Sequence, residues 1–185
     1  MSKIEELAGV YENHIRVPWQ RTVAGAQRVI MVVYDKELER LFRARKQEFE
    51  QRTTRHKHGW MEIDCTRLFA EWMAKDEYRD AYFEQPEDLI LKLQTEFMDF
   101  VSQQLRHVLH AADDNTVVAV MGVASLYGFV RVSDLVRMVE PDIKGRLVVF
   151  YPGSKDGNNY RLLDARDGWN YLAYAITLDG MGGSQ

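Results

Sequence analysis

Residues 116–151 read TVVAVMGVASLYGFVRVSDLVRMVEPDIKGRLVVFY, and their pattern decides the fold. The stretch opens on an apolar, β-branched run (116–121) and passes through an irregular loop. A short amphipathic segment follows, with Ser133 or Asp134 placed to cap it and Pro141 to stop it, and a second apolar run (146–151) closes the unit. Continuous apolar runs without alternation belong to strands covered on both faces, and two such strands joined through a helix call for a parallel sheet.

Working outward, the same pattern recurs upstream. Residues 28–34, RVIMVVY, form another doubly covered strand, with Asp35 at the N-cap position of a helix whose inward stripe is Leu38, Leu41, Phe42 and Phe49. Residues 59–64, GWMEID, read as a shorter and more polar strand. A helix carrying Leu68, Phe69, Trp72 and Met73 follows, then a charged turn or broken helix over 75–85. Pro86 suits the first turn of a long helix to about residue 110. At the amino end, Ile4, Leu7, Ala8 and Tyr11 make a helical stripe, and Ser2 with Glu5 has the spacing of a capping box. Residues 152–159 are rich in Pro, Gly, Ser, Asp and Asn and read as a mobile loop. Residues 160–163 suit an edge strand and 171–177 a further strand. Alternation of strand and helix predicts an α/β three-layer sandwich, with a mainly parallel sheet of about five strands and helices on both faces. It is expected as one domain over 1–185, with a helix and connector over 1–20 and a flexible tail over 178–185.

Composition narrows the class. The 185 residues are 46% hydrophobic and 28% charged with net charge −4, ordinary for a globular chain and without a global basic field. The single cysteine, Cys65, rules out an intrachain disulfide and all but excludes a thiolate zinc site. No apolar run nears the roughly 20 residues that span a bilayer, and the amino terminus lacks the apolar centre of a signal peptide, so a cytoplasmic protein with no membrane contact is expected.

Chemistry is harder to find. Neither GxxxxGK[ST] nor GxGxxG occurs, and Tyr34 runs straight into Asp35–Lys36 with no glycine to admit a phosphate. His107 and His110, near Asp113 and Asp114, have ligand-like spacing but equally suit a helix end. Cys65 stands beside Asp64, which disfavours a thiolate. Neither a cofactor nor a metal is expected. In parallel sheets ligands gather at the carboxyl ends of the strands. Asp64, Arg131, Ser133 and Asp134 fall there, and would serve an enzyme or sensor dependent on nucleotide or metal. The aromatic and basic side chains Tyr127, Phe129, Arg131, Tyr160, Arg166 and Trp169, with Ser133 and Asp134, make the same edge a candidate protein interface, the aromatics being expected exposed. Arg43, Arg45, Arg52, Arg55 and Lys57 form a basic stretch that could follow a phosphate backbone.

The text GVASLYGFVRVSDLV (122–136), RLVVFYPG (146–153) and YRLLDARDGWNYLAYAI (160–176) resembles the BrxB family of bacteriophage exclusion (BREX) defence systems. VIMVVYDKELE (29–39) and HGWMEIDCTRLF (58–69) are compatible with it in order and spacing. The resemblance implies a component of a multi-protein phage-defence system. Its companions would be a DNA methyltransferase, a PglZ-like protein of alkaline-phosphatase fold and a large AAA+ ATPase, with DNA reached only indirectly. It brings no catalytic signature, which suits a non-catalytic adaptor joining the methyltransferase and PglZ-like subunits. An enzyme or sensor at the strand ends and an accessory DNA-contacting subunit remain the alternatives.

Overall fold

The computed structural model describes residues 1–165 and 168–178. Strands β1 (Val29–Tyr34), β2 (Gly59–Asp64), β3 (Thr116–Met121), β4 (Arg146–Asp156) and β7 (Tyr174–Ile176) form a sheet in the order β2-β3-β4-β1-β7. Every pairing along this path is parallel. β5 (Asn159–Leu162) pairs antiparallel with the far half of β4, and β6 (Trp169–Asn170) pairs antiparallel with β5. The expected α/β layer of mainly parallel strands is therefore present.

Period-two alternation divides the sheet between two cores. Ile30, Val32 and Tyr34 of β1, Val117, Ala119 and Met121 of β3, and Val148 and Phe150 of β4 face one way. Three helices cover them: α1 (Lys3–Ile15), α2 (Glu39–Arg45) and α3 (Gln47–Arg55). Val29, Met31, Val33, Val118, Val120, Leu147, Val149 and Tyr151 face the other way. They lie against α4 (Leu68–Ala74), α7 (Met98–Ala111) and α8 (Val132–Val139). All six residues of β1 and of β3 are buried, which explains why neither strand alternates in sequence. Each buried apolar side chain contributes about 1.5–3 kcal/mol against exposure. β2 lies at the edge of the sheet and is only partly covered, matching its more polar text.

Local signals were honoured where side chains carry them. Ser2 and Glu5 close the capping box of α1, and Asp35 Oδ1 accepts from the Glu37 N–H at 2.8 Å. α8 behaves differently. Its N-cap is Arg131, with no side-chain cap; the Arg131 carbonyl accepts from the N–H groups of Asp134 and Leu135, and Ser133 is buried. The cap expected from Ser133 or Asp134 is replaced by backbone alone. Between residues 75 and 85 a short α5 (Arg79–Glu84) forms. The long helix beginning at Pro86 is real but interrupted. It runs as a 3₁₀ turn (Pro86–Leu89), α6 (Ile90–Lys92), a π turn (Leu93–Phe97) and then α7. A second correction concerns residues 152–159. β4 continues through Asp156 and folds back on β5, with Gly157 at φ +58° in the turn. Its loop-like composition belongs to a hairpin outside the doubly covered sheet. Among the described residues no helix is long and apolar enough to cross a membrane. The expected flexible tail lies, beyond residue 178, outside the described residues.

Candidate functional site

A broad open groove of about 1130 Å³ sits at the carboxyl edge of the parallel sheet, over Tyr151 of β4. Three walls make it. The loop after β3 supplies Tyr127, Phe129 and Arg131, and the first turn of α8 adds Ser133 and Asp134. The hairpin side brings Leu162 and Trp169, and the helical run opposite brings Gln94 and Met98. The order of the chain explains the assembly: β3 and β4 are adjacent and parallel, so the loop leaving one and the hairpin leaving the other must rise at the same sheet edge. Six of the sequence candidates, Tyr127, Phe129, Arg131, Ser133, Asp134 and Trp169, thus share one concavity.

Their exposures differ from what the sequence led one to expect. Tyr127 is 52% exposed, and Arg131 and Asp134 are open to solvent without an ion-pair partner among the described residues. Phe129 stacks on Phe69 with ring centroids 4.3 Å apart and is only half-open. Trp169 lies between Tyr160 and Tyr171, at 5.4 and 5.2 Å, and its indole N–H donates to the Tyr151 hydroxyl at 3.2 Å. Tyr160 is fully buried, so the exposure expected of it is corrected. It sits on β5 where the hairpin folds over the sheet, its ring edge-on to Tyr151 at 6.0 Å. Its hydroxyl has no partner among the described residues. Burial pushes both phenols up to about 12, so Tyr151 and Tyr160 stay protonated at neutral pH. Arg166 lies outside the described residues.

Gln94 and Met98 were missed in the sequence. Gln94 lies within the π turn and Met98 directly after it, where one extra residue shifts which side chains face the groove, and a 3.6-residue stripe cannot reveal that shift. Tyr151, read only as a strand end, forms the floor.

Asp64 stands elsewhere. Its carboxylate accepts from Arg43 Nη1 at 2.6 Å, from the Thr66 N–H at 3.0 Å and from the Thr66 hydroxyl at 2.5 Å. Burial works against its charge, but these hydrogen bonds outweigh it and hold the carboxyl below its usual range. Asp64 is therefore engaged in joining β2 to α2 and does not line the groove with Arg131, Ser133 and Asp134. Cys65, beside it, is buried; desolvation and the neighbouring carboxylate push its thiol up to about 12. His110 points to Asp142 at 2.9 Å, and among the described residues no three His, Cys, Asp or Glu side chains gather as a metal cluster.

The basic stretch is largely neutralised within the fold. Arg43 pairs with Glu39 and Asp64, Arg45 with Glu5, Arg52 with Glu12 at 2.6 Å and Arg55 with Glu12 at 3.2 Å. Arg43 with Glu39 is an i,i+4 pair within one helix, but Glu5 and Glu12 stand 40 to 43 positions away on α1, and only the packing of α1 on α2 and α3 reveals those pairs. Lys57 takes a left-handed turn at φ +65° after α3.

Compared with known proteins, the chain matches the family model described as BREX protein BrxB over residues 61–176. That span runs from within β2 to the end of β7 and takes in the whole groove. No curated protein and no solved structure matches.

Proposed function

Since the chain belongs to the BrxB family, and is thereby a component of BREX phage defence, we propose that it works there as a non-catalytic adaptor whose groove above β4 receives another subunit. The observation that supports this reading is the makeup of the groove. It is wide and open, its rim offers an exposed tyrosine, an arginine and an aspartate, and aromatic rings fill its wall. Aromatic and arginine side chains anchor interfaces because they bury large area while keeping a polar handle. Among the described residues the groove holds no nucleophile set against a base: Ser133 makes no side-chain hydrogen bond to a histidine or carboxylate there, and Cys65 lies outside it. The companions proposed are the methyltransferase, the PglZ-like protein and the AAA+ ATPase of the same system, with the first two joined through this chain.

Co-purification from a host carrying a complete BREX cluster tests the proposal. Tyr127→Ala and Arg131→Glu alter exposed side chains and leave the core intact. Loss of the methyltransferase or the PglZ-like protein from the tagged chain is the expected result. Full assembly of all partners without this chain would end the adaptor reading. A rise in melting temperature with nucleotides or divalent ions, abolished by Arg131→Glu, would instead indicate an enzyme or sensor.

A further inference from the structure

The opposite end of the sheet carries a second concavity, of about 460 Å³, with Arg146 at its base. Arg146 opens β4 and is 9% exposed. Its guanidinium donates from Nη1 to the Gly145 carbonyl at 3.0 Å and from Nη2 to the Gln20 carbonyl at 3.4 Å. The face of Trp19 lies 4.9 Å from its central carbon. Among the described residues no carboxylate stands within ion-pair distance. The charge that acts on Arg146 is instead a second cation, Arg28, whose own guanidinium is directed to the carbonyls of Ile143 at 2.7 Å and Arg21 at 2.9 Å. Burial and then the Arg28 charge both lower the proton affinity of Arg146. The same cavity holds His14, pushed down to about 4 by burial and by Arg146, so it is neutral at physiological pH. Two carbonyls and an indole face offset the desolvation of this guanidinium only in part, because the one full charge acting on it is of like sign.

The exposed lining of this cavity is mainly apolar, with Gln20 and Gln27 as its polar members and no charged side chain among the described residues. Leu172 is 68% exposed, Val17 57% and Tyr174 46%, three of the few large hydrophobic side chains left open on the described surface. A mainly apolar rim around a buried cation with no counter-ion among the described residues has the layout of an interface centre, with one charged anchor point and water-excluding neighbours.

We propose that this concavity docks an acidic, apolar segment of a partner protein, one carboxylate serving as the missing counter-ion of Arg146 while flanking apolar side chains cover Val17, Leu172 and Tyr174. The mainly apolar mouth favours a peptide over a phosphate backbone, which would be met by a basic rim. A second copy packed two-fold on this face would bring only the same lining residues against Arg146, none of them a carboxylate, and leave the charge unmatched. The inference stands apart from the groove above β4. Arg146 and Tyr151 are five residues apart on one strand, about 17 Å, so the two surfaces lie at opposite ends of the sheet.

The test uses the full chain and fluorescein-labelled short peptides combining Glu with Leu, Ile or Phe, with Gln-for-Glu versions as controls, read by anisotropy. Glu-containing peptides are expected to bind the wild type about tenfold or more tightly than either Arg146→Met or Leu172→Asp, and than the wild type binds the Gln controls. Should Arg146→Met fail to fold by circular dichroism, Leu172→Asp, which changes an exposed side chain, and the Gln controls still decide the matter. Binding that ignores Glu, or that survives Leu172→Asp unchanged, overturns the proposal and leaves Arg146 a structural tie for residues 20 and 145. Equal competition by inorganic phosphate, or concentration-dependent self-association lost in Leu172→Asp, would overturn it as well.

Discussion

Gly122 ends β3 in the left-handed region, at φ +74°, and a Cβ there would stand 2.3 Å from Asp64 Oδ1 and 2.5 Å from Thr66 Oγ1. The close approach locks the loop after β3 onto the Arg43–Asp64–Thr66 network and so fixes where Tyr127, Phe129 and Arg131 emerge. Gly122→Ala is expected to lower stability by about 1–3 kcal/mol through backbone strain and the displaced carboxylate. Urea denaturation checks it, and an unchanged midpoint would mean that the network yields freely. At this scale the sequence was half legible. A lone glycine after a strand pointed to a turn, but its contact with Asp64, 58 positions earlier, depends on β2 and β3 being paired.

Among the elements, α1 shows how local text and tertiary need combine. Ser2, Glu5 and the stripe through Tyr11 make it a helix in any context, but its place is set by α3. The Tyr11 hydroxyl meets Thr53 Oγ1 at 2.6 Å, and Glu12 receives Arg52, Arg55 and His56. Burial works to raise the Glu12 carboxyl, but hydrogen bonds from His56 and Arg52 and the charges of Arg52 and Arg55 outweigh it and hold the group below its usual range. A depressed carboxyl stabilises the fold above its unfolded value of about 4.3 and loses that contribution as pH falls through the lower folded value. Glu12→Gln should therefore melt about 2–4 °C below wild type at pH 7, the effect of about 1 kcal/mol on a chain of this size, with the gap closing below about pH 4. Thermal melts across pH 3 to 7 show it; a gap independent of pH would assign the loss to packing.

Over the whole molecule, charges that look like a nucleic-acid face in the sequence act chiefly as fasteners. Arg43, Arg45, Arg52 and Arg55 bind Glu39, Asp64, Glu5 and Glu12, tying α2 and α3 to β2 and α1. Each pair is partly exposed and individually modest, but together they form a network. Replacing all four arginines by glutamate sets like charges against each acceptor, so the expected outcome is loss of cooperative folding by circular dichroism, beyond any loss of DNA retention. A quadruple variant that melts with the wild type would show these arginines to be solvated and open to a phosphate backbone.

The amino-acid sequence by itself determined the layer of parallel strands. β-branched runs at 28–34, 116–121 and 146–151 can be satisfied only by cover on both faces, and that requirement is local in origin. It determined the helix faces too, since a stripe of apolar residues must turn inward wherever the helix packs. Tertiary structure alone decided which strands are neighbours, that residues 152–156 prolong β4 into a hairpin, and that Tyr160 is buried while Tyr127 stays open. It also set Arg146 beside Arg28 with no carboxylate in ion-pair distance among the described residues, a juxtaposition made by two strands 118 positions apart in their pairing, Val29 with Leu147 among its registers. The physical reason is the same throughout. Periodicity reports whether a side chain faces inward, whereas a partner across the fold is fixed only when distant segments are brought into register.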